Sequence, residues 1–199
     1  MNWLKIYLPI YLLLYLLLAI VVPTYRTFKK TGINPITFGK TDNAHDYIGF
    51  VMKLIMLCLT ISILMFSFSE NLYSYLSPIQ FLKSETNFYF GFILIHSALI
   101  WICIAQFQMS SNWRIGIDEK NKTDLVTTGI FSISRNPIFL GMMVSLLGIF
   151  FIIPNAISLC LTVLTYFIIQ IQIRLEEEFL EKQHKADYIN YKFKTRRLI

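Results

Sequence analysis

The amino-acid sequence predicts an all-α, polytopic integral membrane protein with about five transmembrane helices and a cytoplasmic C-terminal helix. Three observations point there. Only 15% of the 199 residues are charged and 55% are apolar, whereas a soluble domain carries about 25% charged residues. The apolar residues gather into blocks near the roughly 20-residue length that crosses a bilayer. The basic residues fall almost entirely between alternate blocks, as orientation in a membrane requires.

The blocks run Trp3 to Pro23, Tyr47 to Phe68, Phe88 to Met109, Pro137 to Ile153 and Ala156 to Ile173. The first could pass for a signal peptide. Only Lys5 precedes it and no small-x-small site closes it, so it reads as a retained helix. The last two blocks are separated by Pro154-Asn155 alone, which predicts a helical hairpin with a tight turn.

Of the 18 Lys and Arg, four lie in the loop 24–46 (Arg26, Lys29, Lys30, Lys40) and four between residues 110 and 135 (Arg114, Lys120, Lys122, Arg135). Seven fall from Arg174 onward, leaving only Lys5 and Lys83 on the opposite side and Lys53 inside the second block. Positive loops stay inside, so the N-terminus is expected outside and the C-terminus in the cytoplasm. The net charge of +6 thus reports orientation and requires no nucleic-acid partner. Cys58, Cys103 and Cys160 sit singly in different blocks and His45, His96 and His184 are scattered, so no metal site is expected. His96 is expected to hydrogen-bond between helices. Gly141 and Gly148, seven residues apart, would let helices approach closely within the monomer; no oligomer is indicated.

Polar residues that suggest chemistry lie in the second half. In Leu125 to Gly141, Asn136 suits an N-cap and Pro137 a first helical residue. A well-capped helix with Arg135 reaching toward lipid phosphates explains each residue separately. It also leaves free helix amides at the membrane surface, a place for an anionic group. In the stretch leaving the last block, Glu178/Lys182 and Glu181/Lys185 are four-apart pairs of a solvated face. Arg174, Glu177, His184, Tyr188 and Tyr191 would share roughly one side of a continuing helix. A salt-bridged helix exit and a site explain these residues equally well.

Together, and in this order around a hairpin, the two pieces resemble the isoprenylcysteine carboxyl methyltransferase and phospholipid methyltransferase superfamily. The match is carried by Leu125, Val126, Gly129, Arg135, Asn136, Pro137 and Gly141, then Glu176, Glu177, Leu180, Tyr188, Tyr191 and Arg197. Phe131 and Phe139 stand where the family usually has tyrosine, and Lys185 where it usually has glycine. The resemblance implies methyl transfer from S-adenosylmethionine to a lipophilic acceptor in the bilayer, a carboxylate being favoured and a lipid amine possible. It implies that Leu125, Val126, Gly129, Arg135, Asn136, Pro137, Glu176 and Glu177 bind the cofactor. Arg174, Glu177 and Arg197 are the candidates for catalytic work, either arginine orienting an acidic acceptor. It further implies a methyltransferase-like core over 110–199, packed as one domain with helices 1–109. A non-catalytic assembly factor of the same fold is the alternative; a small transporter fits less well, because the blocks hold few ionisable groups and no inverted repeat.

Overall fold

A computed structural model describes residues 2–38, 43–118 and 121–199; Lys40 and Lys120 of the basic loops lie outside them. The helices are α1 (Asn2–Leu16), α2 (Val22–Thr31), α3 (Ala44–Phe68), α4 (Glu70–Ser74), α5 (Glu85–Met109), α6 (Pro137–Ile152), α7 (Ala156–His184) and α8 (Ala186–Lys194). No strand forms among the described residues. Four helical stretches are long and apolar enough to cross a membrane: 2–31, 44–68, 85–112 and 156–184. The fifth, α6, has 16 residues, about 24 Å at 1.5 Å per residue, short of a full hydrocarbon core of about 30 Å.

Pro23 does not end the first helix, as the sequence suggested; helix continues to Thr31 through a π turn at Leu17–Val21. Proline lacks the N–H that the carbonyl four residues back would accept, and its ring crowds that carbonyl. The π turn absorbs the crowding, with the Val22 N–H reaching back to the Leu17 carbonyl. The Ala19 carbonyl left over accepts instead from Gln106 Nε2 on α5 at 2.7 Å. Gly32, at φ 70°, then closes α2.

The α5–α6 pair is the most extensive helix contact, and glycines make it possible. A Cβ on Gly148 would lie 2.9 Å from the Gly91 carbonyl oxygen, and one on Gly91 would lie 2.6 Å from that of Gly148. As expected, the close approach is within the chain. His96 on α5 likewise meets Tyr7 on α1, Nε2 to hydroxyl, at 2.5 Å. The α6–α7 turn is the tight hairpin anticipated at Pro154-Asn155. Asn155 and Ser158 cap α7 reciprocally, at 2.8 and 3.2 Å.

The basic loops gather at one end, where the loop after α2 pairs with the loop after α5 through Ile115. At the other end the Ile79 N–H meets the Pro154 carbonyl, and Lys5 pairs with Glu70 at 2.6 Å.

Helix α7 does not carry its face on to Tyr188 and Tyr191. It breaks at Lys185, whose φ of 49° and ψ of −119° lie where a side chain is strained. The break turns α8 back toward α6, so Glu181 pairs with Lys192 at 3.0 Å rather than with Lys185. Lys185→Gly should relieve the strain and raise stability by about 1 kcal/mol. Tryptophan-fluorescence melting in detergent checks this; a lower melting temperature would show that Lys185 contributes a contact worth more than the strain.

Candidate functional site

Three separated segments converge at the basic end. Glu177 on α7, 4% exposed, lies at the centre. Its Oε1 accepts from Arg135 Nε at 3.1 Å and Nη2 at 2.9 Å, and from Asn136 Nδ2 at 3.1 Å. Its Oε2 accepts from Arg197 Nε at 3.0 Å and Nη2 at 2.9 Å. Asn136 Nδ2 also donates to the Arg197 carbonyl at 3.0 Å. The tail is laid beside the turn before α6: the Arg135 N–H donates to the Arg196 carbonyl at 3.0 Å.

Asn136 occupies the N-cap position of α6, but its side chain caps nothing. The amide turns to Glu177 and the tail, so the well-capped-helix reading fails for this residue. Pro137 does take the first helical position, and its carbonyl accepts from Trp101 Nε1 at 3.0 Å.

Burial alone would push the Glu177 carboxyl up; the hydrogen bonds and charges of Arg197 and Arg135 outweigh it and hold the carboxyl below the usual range. The two guanidiniums and one carboxylate sum to one positive charge. Arg135 spends its remaining donor on the Lys192 and Thr195 carbonyls, which makes it a strut. Arg197 is the more open partner, its side chain 37% exposed.

Arg174, Glu177 and Arg197, the three candidate catalytic residues, line one open cleft of about 280 Å³, with Glu178, Glu181, Lys182 and Lys192. The acids there are all paired: Glu177 as above, Glu178 with Lys182 at 2.6 Å and Glu181 with Lys192. Among the described residues Arg174 bonds only Gln170 on its own helix, which leaves its charge without a carboxylate there.

Glu176 does not join Glu177. Neighbours on a 3.6-residue helix point about 100° apart, and Glu176 accepts instead from Gln172 Nε2 at 2.7 Å. The Gln172 oxygen takes a hydrogen bond from His45 Nδ1 at 3.2 Å, and His45 Nε2 accepts from the Ile117 N–H at 2.9 Å. Where α7 runs on past its apolar part (156–173), burial pushes the Glu176 carboxyl up to about 7, against the hydrogen bond from Gln172. The folded state therefore binds a proton that the unfolded chain has released above about 4.5. Stability should fall as pH rises from about 4.5 to about 7, by on the order of 2 kcal/mol, then level off. Glu176→Gln should flatten that slope and melt higher at pH 8; an unchanged slope would place the titration elsewhere.

Gly129 adopts φ 63°, and a Cβ there would fall on the Gln108 amide. Gln108 Oε1 accepts from the next amide, Ile130 N–H, at 2.9 Å. Val126 packs on Ala105, Ile130 and Phe131; Leu125, also half-buried, belongs to neither packed cluster. The Tyr191 hydroxyl donates to the Phe131 carbonyl at 2.6 Å. Sequence reasoning missed Gln108, Gln172 and His45. The first two are polar residues near the ends of spanning helices, where a side chain needs a partner, and that was the available signal.

No curated protein matches the chain. The model of the phospholipid methyltransferase family matches residues 86–187, a stretch running from the start of α5 into α8 that holds Arg135, Asn136, Arg174, Glu176 and Glu177 and stops short of Lys192 and the tail arginines. With more than half its length matched, and with its bundle of apolar helices, the chain belongs to the phospholipid methyltransferase family.

Proposed function

We propose that the protein transfers a methyl group from S-adenosylmethionine to a lipophilic acceptor, at the basic end of the bundle and facing the cytoplasm. The observation that carries this is the convergence on Glu177 of Arg135, Asn136 and Arg197, from three chain segments, beside the cleft that also holds Arg174. The donor supplies an electrophilic methyl on a sulfonium, together with a carboxylate, an ammonium and an adenosyl group.

The residues fit such a molecule. At the α7–α8 corner the Gln183 amide and His184 Nε2 are buried polar groups without partners among the described residues, the kind of atoms that a nucleoside satisfies. Glu177 is too heavily subscribed to grip an ammonium. Its role in this reading is to fix Arg197, whose outward N–H groups and the Arg174 guanidinium receive a carboxylate. Glu176, turned into the Gln172–His45 network and not among the cleft's lining residues, has no contact with the donor in this reading. Gly129 and the Arg135-Asn136-Pro137 turn close the loop wall, with Leu125 and Val126 as its apolar side. The chain's work is mostly positioning, holding an acceptor in line with the methyl group.

A lipophilic carboxylate is the acceptor favoured, because it needs no base and matches the unpaired Arg174. A lipid amine is the second reading; unlike a carboxylate it needs a base to remove an ammonium proton.

The test is incubation of detergent-purified protein with methyl-labelled S-adenosylmethionine and a membrane lipid extract. Label that enters the organic phase and is released as methanol by mild alkali identifies a carboxylate acceptor; alkali-stable label identifies an amine. No binding of the donor to folded protein by calorimetry would sink the proposal and favour a non-catalytic assembly role.

A further inference from the structure

Helix α2 carries a groove that the methyl-transfer reading does not use. Val21, Val22, Tyr25, Arg26, Lys29 and Lys30 line a shallow, open volume of about 550 Å³. Val22, Tyr25, Arg26, Lys29 and Lys30 recur at helical spacings of three, one, three and one, so they share one face. Along that face the chemistry is graded. Exposed Val21 and Val22 come first, Tyr25 next, and three cations last, over about 14 Å.

The cations here are unlike those of the site. Among the described residues, none of Arg26, Lys29 and Lys30 has a carboxylate within ion-pair distance, whereas Arg135, Arg197, Lys182 and Lys192 all do. They are nonetheless held. Arg26 Nη2 donates to the Gln106 carbonyl, Lys29 stands over the Tyr25 ring at 6.0 Å, and Lys30 Nζ donates to Ser110 Oγ at 2.9 Å. The π turn at Pro23, clamped by Gln106, sets the direction in which α2 presents this face. The same Gln106 thus fixes the turn by its side chain and Arg26 by its carbonyl.

We propose that this groove binds one anionic phospholipid, from the leaflet at the basic end. Its phosphate meets Arg26, Lys29 and Lys30, its glycerol region lies at Tyr25, and an acyl chain runs along Val22 and Val21. A tyrosine between an apolar and a charged turn matches the interfacial depth such a ring prefers. Lysines near an anionic surface each contribute enough that losing two should weaken binding roughly thirtyfold.

The test is native mass spectrometry of the whole chain released from nanodiscs of phosphatidylcholine doped with phosphatidylglycerol. One phosphatidylglycerol should be retained per chain, and K29Q/K30Q should lower its retention roughly thirtyfold. Both side chains are exposed, and circular dichroism verifies that the variant folds. The control K122Q/K194Q removes the same charge elsewhere and should leave retention within about twofold. Equal loss in the control would reduce the effect to bulk charge and overturn the site. Retention of phosphatidylcholine at the same level would do so too. Displacement of the lipid by millimolar inorganic phosphate would make the ligand a free anion and overturn the lipid assignment.

Discussion

Glu177→Gln should abolish methyl transfer and lower the melting temperature by about 10 °C. The carboxylate meets two guanidiniums and one amide through both oxygens. Replacing one oxygen with an NH2 turns an attraction into a clash of donors and leaves Arg135, with a side chain 7% exposed, as a buried charge without its partner. Breaking a buried pair from one side costs about 3–5 kcal/mol, and for a chain of this length each kcal/mol is worth about 2–4 °C. Activity and stability fall for the same reason, so a second variant separates them. In R135M/E177L an apolar pair replaces the charges, which often restores stability; melting should recover while transfer stays lost. Wild-type activity in Glu177→Gln would remove Glu177 from the site altogether.

Gly148→Ala should cost about 2–3 kcal/mol, more than Gly141→Ala at about 1 kcal/mol. The added methyl at 148 would meet Ile95 Cγ2 at 2.6 Å, the Gly91 carbonyl oxygen at 2.9 Å and the Ile95 amide nitrogen at 3.0 Å. Two of these are backbone atoms of a helix and can yield only if α5 and α6 separate. At 141 the nearest atoms are Ile102 Cγ1 and Cδ1, at 2.5 and 3.0 Å, part of a side chain with other rotamers. Separation at 148 also tilts the helix that begins at Pro137, so transfer should drop with stability. Paired thermal melts of the two alanine variants decide the order. A milder effect at 148 would mean that the two helices slide rather than meet edge to edge.

The spans and the hairpin were legible in the sequence because lipid imposes them on composition: blocks such as Phe88 to Met109 have no other use. Pro23 misled because the compensation for its missing N–H is Gln106, 83 residues away in the chain and invisible to any local pattern. The glutamate pair was legible as a feature but not in its division. Adjacent residues on a helix cannot face one target, and only tertiary packing shows which of Glu176 and Glu177 meets the arginines. The break at Lys185 showed only indirectly, as a lysine where the family usually has glycine; the residue itself, neither glycine nor proline, does not announce a positive φ. Most of the site's geometry depends on the tail pairing at Ser134 to Asn136, a contact between segments about 60 residues apart with no periodic signature.

That tail pairing also separates two kinds of order. The carboxylate centre gains its second guanidinium only when Arg197 reaches it, 20 residues after Glu177 and behind the last membrane-crossing segment. Every apolar helix can lie in the bilayer while the pocket is still unfinished and unbalanced. Completion of the site is therefore a docking step of its own, separate from insertion into the membrane.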